Sequence, residues 1–167
     1  MDYLIGLLIA VINFGIQTTF MRDFTVLGVS PNTALVFVVC FALIKNKNFS
    51  YTMAIFIGLL QDLLYGRGIG INILIYVAIV YIVMKYKENL PVDLSIIAVI
   101  YVAISTFFYH ISYAFAMFFQ GVKFNLILFL SEVGVIECAL NVIWTLVLYR
   151  IIAKIYRENS LKFSRNR

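Results

Sequence analysis

Charge is what this sequence has least of. Only 13% of its 167 residues are charged, against about a quarter in an ordinary soluble domain. With 63% hydrophobic residues and a mean hydropathy of +1.00, a water-soluble fold of this length has nowhere to hide its apolar surface. Lipid is the natural solvent for such a chain. In hydrocarbon every backbone polar group must be satisfied internally, which leaves helices or a closed barrel. Barrel strands alternate apolar and polar residues over about ten positions, whereas Leu35 to Ile44 and Ile71 to Met84 run unbroken. The chain is therefore expected to be an all-α integral membrane protein, a compact bundle of six transmembrane helices in a single domain, 1–167.

Other scarcities exclude chemistry. The two cysteines, Cys40 and Cys138, lie in apolar stretches without metal-ligand spacing and read as small buried apolar residues. His110 is the single histidine. Without the usual Cys/His set for zinc, and flanked by Tyr109 and Tyr113, it reads as an interfacial or core residue. No serine or cysteine has a plausible base partner for nucleophilic catalysis. Gly66-Arg67-Gly68-Ile69-Gly70 lacks the Lys-Ser/Thr of a phosphate loop and the setting of a dinucleotide fingerprint. No catalytic, cofactor or metal site is expected, and the protein is not expected to be an enzyme. Met1-Asp2-Tyr3 lacks the basic region of a signal peptide and no cleavage pattern follows, so the first apolar segment is expected to be retained as a span.

Charges punctuate what remains. The expected spans are 3–21, 30–44, 49–65, 69–84, 94–119 and 124–149, followed by a basic tail, 150–167. Pro31 suits the first turn of the second helix, leaving Phe24 to Val29 as a short interfacial or re-entrant piece. An even number of spans puts both termini on one side, with ten of the 13 Lys and Arg residues, among them Lys45, Lys47, Lys85 and Lys87. Arg22, Arg67 and Lys123 fall on the other side. That bias places both termini in the cytoplasm. It also accounts for the net charge of +5 without nucleic acid.

Ionisable groups within spans default to functional suspicion. Asp62 precedes the turn formed by Gly66, Gly68 and Gly70. It is either a buried acid bonding a helix, partner or ligand, or a cap on that turn. Glu132 and Glu137 project about 140° apart on a regular helix and suit interhelical hydrogen bonding better than a shared ion site. Small and polar residues form two stripes, Gly6, Ala10, Asn13 and Gln17 on the first segment and Gly134, Cys138, Asn141 and Thr145 on the sixth. Such stripes serve internal packing or docking of another membrane protein. Past Tyr149, the residues Arg150, Lys154 and Arg157 share a helix face suited to anionic lipids, worth about 1 kcal/mol per basic residue.

The stretch from Gly28 to Val83 resembles the MreD family of bacterial rod-shape-determining membrane proteins. The resemblance rests on Ser30-Pro31-Asn32 opening an apolar helix, the basic turn at Lys45 to Asn48, and Gly58-Leu59-Leu60-Gln61-Asp62-Leu63-Leu64 followed by the glycine turn. It implies a non-enzymatic scaffold of the lateral peptidoglycan-synthesis machinery in the bacterial cytoplasmic membrane. Such a scaffold binds a single-span MreC-type protein and through it links to MreB filaments and wall synthases. The family is similar in fold to the membrane substrate-binding subunits of energy-coupling-factor vitamin transporters, which supplies the alternative function. A third reading, a proton-coupled carrier, has only Asp62, Glu132 and Glu137 in its favour.

Overall fold

The computed structural model describes residues 2–19, 25–65, 70–87, 94–122 and 125–164. Six helical rods run through them: α1 (Asp2–Thr19), α2 (Thr33–Ile44), α3 (Lys47–Tyr65), α4 (Ile71–Tyr86), α5 (Leu94–Phe119), and a composite sixth. The sixth joins α6 (Leu126–Phe129), a π-helical turn (Leu130–Gly134) and α7 (Val135–Ser164). Three stretches are long and apolar enough to cross a membrane: Asp2–Thr19, Ser95–Phe119 and Leu126–Tyr156.

The architecture is organised around α2. Its sequence is apolar on every face, and a helix of that kind belongs inside. All residues from Thr33 to Ala42 are buried, and α2 packs against α1, α3, α4, α5 and α7. Its 12 residues reach about 18 Å, well short of the ~30 Å hydrocarbon core. Both ends of α2 therefore stop inside the bundle, and their free backbone groups need protein partners. At the start, Asn32 Oδ1 accepts from the Leu35 amide at 3.1 Å. At the end, Lys87 Nζ donates to the carbonyls of Ala42 and Lys45, both at 2.9 Å.

These caps correct the expected boundaries. Pro31 does not open α2. It precedes the Asn32 cap, and the helix begins at Thr33 rather than at residue 30. Likewise Asn46 Oδ1 accepts from the Phe49 amide at 3.0 Å, so α3 begins at Lys47. Thr25 to Val29 is not helical. Val26 and Val29 exchange backbone hydrogen bonds at 2.9 and 3.0 Å, with Leu27 and Gly28 both at positive φ, as a tight two-residue hairpin turn requires. The last helix continues past Tyr149, and Ile152 and Tyr156 on it are still buried.

Close approaches explain two glycines. A Cβ on Gly58 would lie 2.7 Å from Ile73 Cα and 2.8 Å from Ile73 N, so α3 and α4 meet backbone to backbone. A Cβ on Gly6 would lie 2.7 Å from Phe49 Cζ and 2.9 Å from Met53 Sδ. Gly6, Ala10 and Asn13 are the buried residues of α1, so the first stripe faces the bundle. On the outward faces Leu4, Leu8, Ile100, Ile104 and Ile143 are exposed, as lipid contact demands.

The first and last helices end together. Tyr156 of α7 meets Phe41 and Phe49 edge-on, with ring centroids 6.2 and 5.7 Å away. Lys45 Nζ sits 3.9 Å from the Tyr156 ring centroid and pairs with the Asp2 carboxylate. This end carries Lys45, Lys47, Lys85 and Lys87, and the opposite end carries the polar groups described next.

Candidate functional site

At that opposite end the polar side chains form two relays. Asp62, 2% exposed, ends α3 against the start of α4. Its Oδ2 accepts from the amides of Gly70 (2.8 Å) and Ile73 (3.3 Å), and its Oδ1 from the Asn72 amide (3.0 Å) and Asn72 Nδ2 (2.9 Å). The acid thus satisfies donors that the α4 N-terminus would otherwise bury unpaired. Asp62 is buried and caps the start of α4. With Asn72 Nδ2 committed to Asp62, its Oδ1 accepts from Tyr109 Oη at 2.8 Å.

The second relay crosses the α2 start. Asn141 of α7, fully buried, accepts at Oδ1 from the Asn32 amide (2.7 Å) and donates from Nδ2 to Thr106 Oγ1 (3.0 Å). Tyr76 Oη donates to Asn32 Oδ1 at 3.3 Å. Four helices are thereby pinned through one asparagine cap. Buried interhelical bonds of this kind each contribute about 1 kcal/mol.

Between the relays lies a cavity of about 500 Å³ lined by Gln17, Thr18, Ser30, Pro31, Asn32, Gln61, Tyr109 and Glu137. Gln17 Oε1 receives Thr33 Oγ1 (3.4 Å) and Gln61 Nε2 (3.5 Å) at its edge. Glu137 is 8% exposed and His110 is 4% exposed. His110 Nε2 stands 3.2 Å from Glu137 Oε2, within ion-pair range. The contact is out of line for a hydrogen bond, and neither His110 Nε2 nor Glu137 Oε1 has a hydrogen-bond partner among the described residues. Gly134 leaves room beside them, as a Cβ there would lie 3.6 Å from His110 Cδ2. The preceding π turn resets the helix register, and π turns of this kind recur at functional sites. Glu132 stays exposed while Glu137 turns inward.

A second concavity, apolar and about 160 Å³, separates α1 from α7. Ile12, Asn13 and Ile16 form one wall, Trp144 and Leu148 the other, with Thr33 and Phe37 of α2 between them.

A family model described as the rod shape-determining protein MreD matches residues 1–159. The chain belongs to the MreD family. Its role is accordingly in rod-shape determination, as a membrane protein. Neither the curated proteins nor the solved structures contain a match. The likeness to energy-coupling-factor subunits, and the vitamin-transporter alternative with it, therefore gains no support.

Set against this MreD-family fold, the remaining candidates sort by position. Pro31, Gln17 and Glu137 line the polar cavity, Asn13 lines the apolar groove, and Asn141 bridges α2 to α5. Asp62 and Glu132 do not join Glu137. Among the described residues no group of three His, Cys, Asp or Glu is placed to hold a metal ion. Gly70 is the left-handed N-cap of α4, while Gly66 and Gly68 lie outside the described residues. Arg150 and Lys154 are exposed on α7, and the Arg157 side chain lies outside the described residues. Sequence reasoning missed Asn72, Tyr76, Thr106 and Tyr109 as network members. Asn72 had a signal, a lone amide just after the glycine turn, but the tyrosines had none among 11.

Proposed function

We propose that this chain is a non-enzymatic scaffold of the cell-elongation machinery, and that its α1/α7 groove receives the single transmembrane helix of an MreC-type partner. Through that partner it links to MreB filaments and peptidoglycan synthases. The observation that carries the reading is Asn13. It is 9% exposed, lines an otherwise apolar groove, and its side chain makes no hydrogen bond among the described residues. A carboxamide held in hydrocarbon gains from an interhelical partner, and Trp144 opposite offers the kind of large rigid surface that dominates interfaces.

Both termini are assigned to the cytoplasm on charge. The end of the bundle where α1 starts and α7 finishes carries Lys45, Lys47, Lys85, Lys87, Arg150 and Lys154, the side that positive residues mark as inside. Exposed Arg150 and Lys154 suit anionic lipid headgroups there.

Co-purification with the single-span partner from a rod-shaped host tests the reading. Asn13→Leu and Trp144→Ala are each expected to lower recovery several-fold while thermal stability is retained, and depletion of the protein should round the cells. Undiminished recovery with both variants folded would reject the groove. Normal shape on depletion would reject the scaffold.

A further inference from the structure

We infer that the polar cavity is a binding site for a primary ammonium group, carried by a small amine or by an ethanolamine lipid headgroup. The acceptors present there dictate the class. Glu137 lines the cavity, and its Oε1 is buried without a hydrogen-bond partner among the described residues. A buried carboxylate oxygen of this kind calls for a hydrogen-bond donor, and a charged one above all.

Tyr109 adds a second acceptor by a fixed relay. Asp62 holds Asn72 Nδ2, so Asn72 Oδ1 must receive a proton, and Tyr109 Oη supplies it. The hydroxyl has spent its only donor, and what remains to the cavity is oxygen lone pairs. Two acceptors, one of them a carboxylate oxygen, select a cation with several N–H donors.

Geometry then separates ammonium from guanidinium. A guanidinium binds best when both oxygens of a carboxylate receive its fork. Glu137 Oε2 already faces His110 Nε2 at 3.2 Å, leaving Oε1 alone. One free oxygen suits a compact point charge, and Tyr109 Oη and the amide oxygen of Gln61, which also lines the cavity, can take the remaining protons. A quaternary ammonium has no N–H to give and should be refused. This assignment stands apart from the groove, sharing none of its lining side chains.

The test uses the full chain in nanodiscs, with native mass spectrometry for lipid retention and thermal unfolding for free ligand. Phosphatidylethanolamine should be retained over phosphatidylcholine by roughly tenfold, a ratio equivalent to about 1.4 kcal/mol. Glu137→Gln should abolish the preference, and Tyr109→Phe, which keeps the ring and removes the acceptor, should weaken it. Glu132→Gln, an exposed acid on the same rod, should leave it unchanged. If ethanolamine or methylamine raises the unfolding temperature at millimolar concentration and phosphatidylethanolamine is not enriched, the source is a free amine. Enrichment of the lipid instead identifies the headgroup. Should Glu137→Gln fail to fold, Tyr109→Phe carries the decision. Equal retention of the two lipids with no response to free amine overturns the assignment. So does carbodiimide crosslinking of Glu137 to a partner lysine in place of any amine or lipid.

Discussion

Replacing Gly58 by alanine is expected to loosen the α3/α4 hairpin and with it the whole polar end of the bundle. The added Cβ would meet Ile73 Cα at 2.7 Å, Ile73 N at 2.8 Å and the Asn72 carbonyl carbon at 3.1 Å. These are backbone atoms, and no rotamer change can move them aside. Restoring ordinary contact means separating the helices by about 0.8 Å or more, since carbon atoms rest at roughly 3.5–4.0 Å. The Asp62 bonds to Gly70, Asn72 and Ile73, now 2.8 to 3.3 Å long, lie one turn away. The same displacement takes the longest of them beyond hydrogen-bonding range. Overpacking costs about 1–3 kcal/mol and each weakened bond to a charged group up to about 1.5–3 kcal/mol. The gain in helix propensity from glycine to alanine returns only about 1 kcal/mol. A net loss on the order of 3 kcal/mol should appear as a clear fall in unfolding temperature in detergent. Gly15→Ala supplies the control, because a Cβ there meets nothing within 4 Å and should be neutral or stabilising. Equal unfolding temperatures for Gly58→Ala and the wild type would refute the backbone contact.

Three further outcomes follow from single contacts. Asp62→Asn keeps the shape but turns an amide towards backbone donors, and should lower stability by about 2–3 kcal/mol, read by thermal unfolding. Lys87→Gln withdraws the charged cap from the carbonyls of Ala42 and Lys45 and should cost about 1–2 kcal/mol. Its signature is early hydrogen exchange at the α2 C-terminus. Leu27→Asn relieves a non-glycine residue held at φ 53° and should stabilise the chain by about 1 kcal/mol, with unchanged stability arguing against that turn.

Hydropathy was enough to read the six rods because hydrocarbon imposes one rule on every segment. Where helices start was less legible. Pro31 invites a helix start, but Asn32 captures the Leu35 amide and is itself held by Asn141 from a helix 109 residues away. No local pattern encodes that bond. Asp62 stood out because an acid in an apolar run is conspicuous, and its caps lie within 11 residues. His110 and Glu137 looked unrelated, since their pairing depends on α5 lying beside α7 and on a π turn without a sequence motif. The small-residue stripe on α1 was visible, yet only packing reveals that Gly6 serves α3 while Asn13 opens towards the groove.

The groove and the cavity meet at Thr33 and Gln17, and this sets a consequence that either site alone does not. Thr33 lines the groove, Gln17 lines the cavity, and Thr33 Oγ1 donates to Gln17 Oε1 at 3.4 Å. Gln61 Nε2 reaches the same oxygen at 3.5 Å. Both contacts are long, so small movements of α1 decide whether they form. A helix seated between α1 and α7 bears directly on α1 at Asn13, one helical turn from Gln17. Seating it should therefore reorient the Gln17 amide and change the affinity of the cavity for an ammonium ligand. By linkage the ligand must alter partner affinity by the same factor. Amine titrations of the free chain and of the partner complex should differ by at least a few-fold, and Gln17→Leu should remove the difference. Identical affinities in the two states would mean that the two sites adjoin without sharing energy.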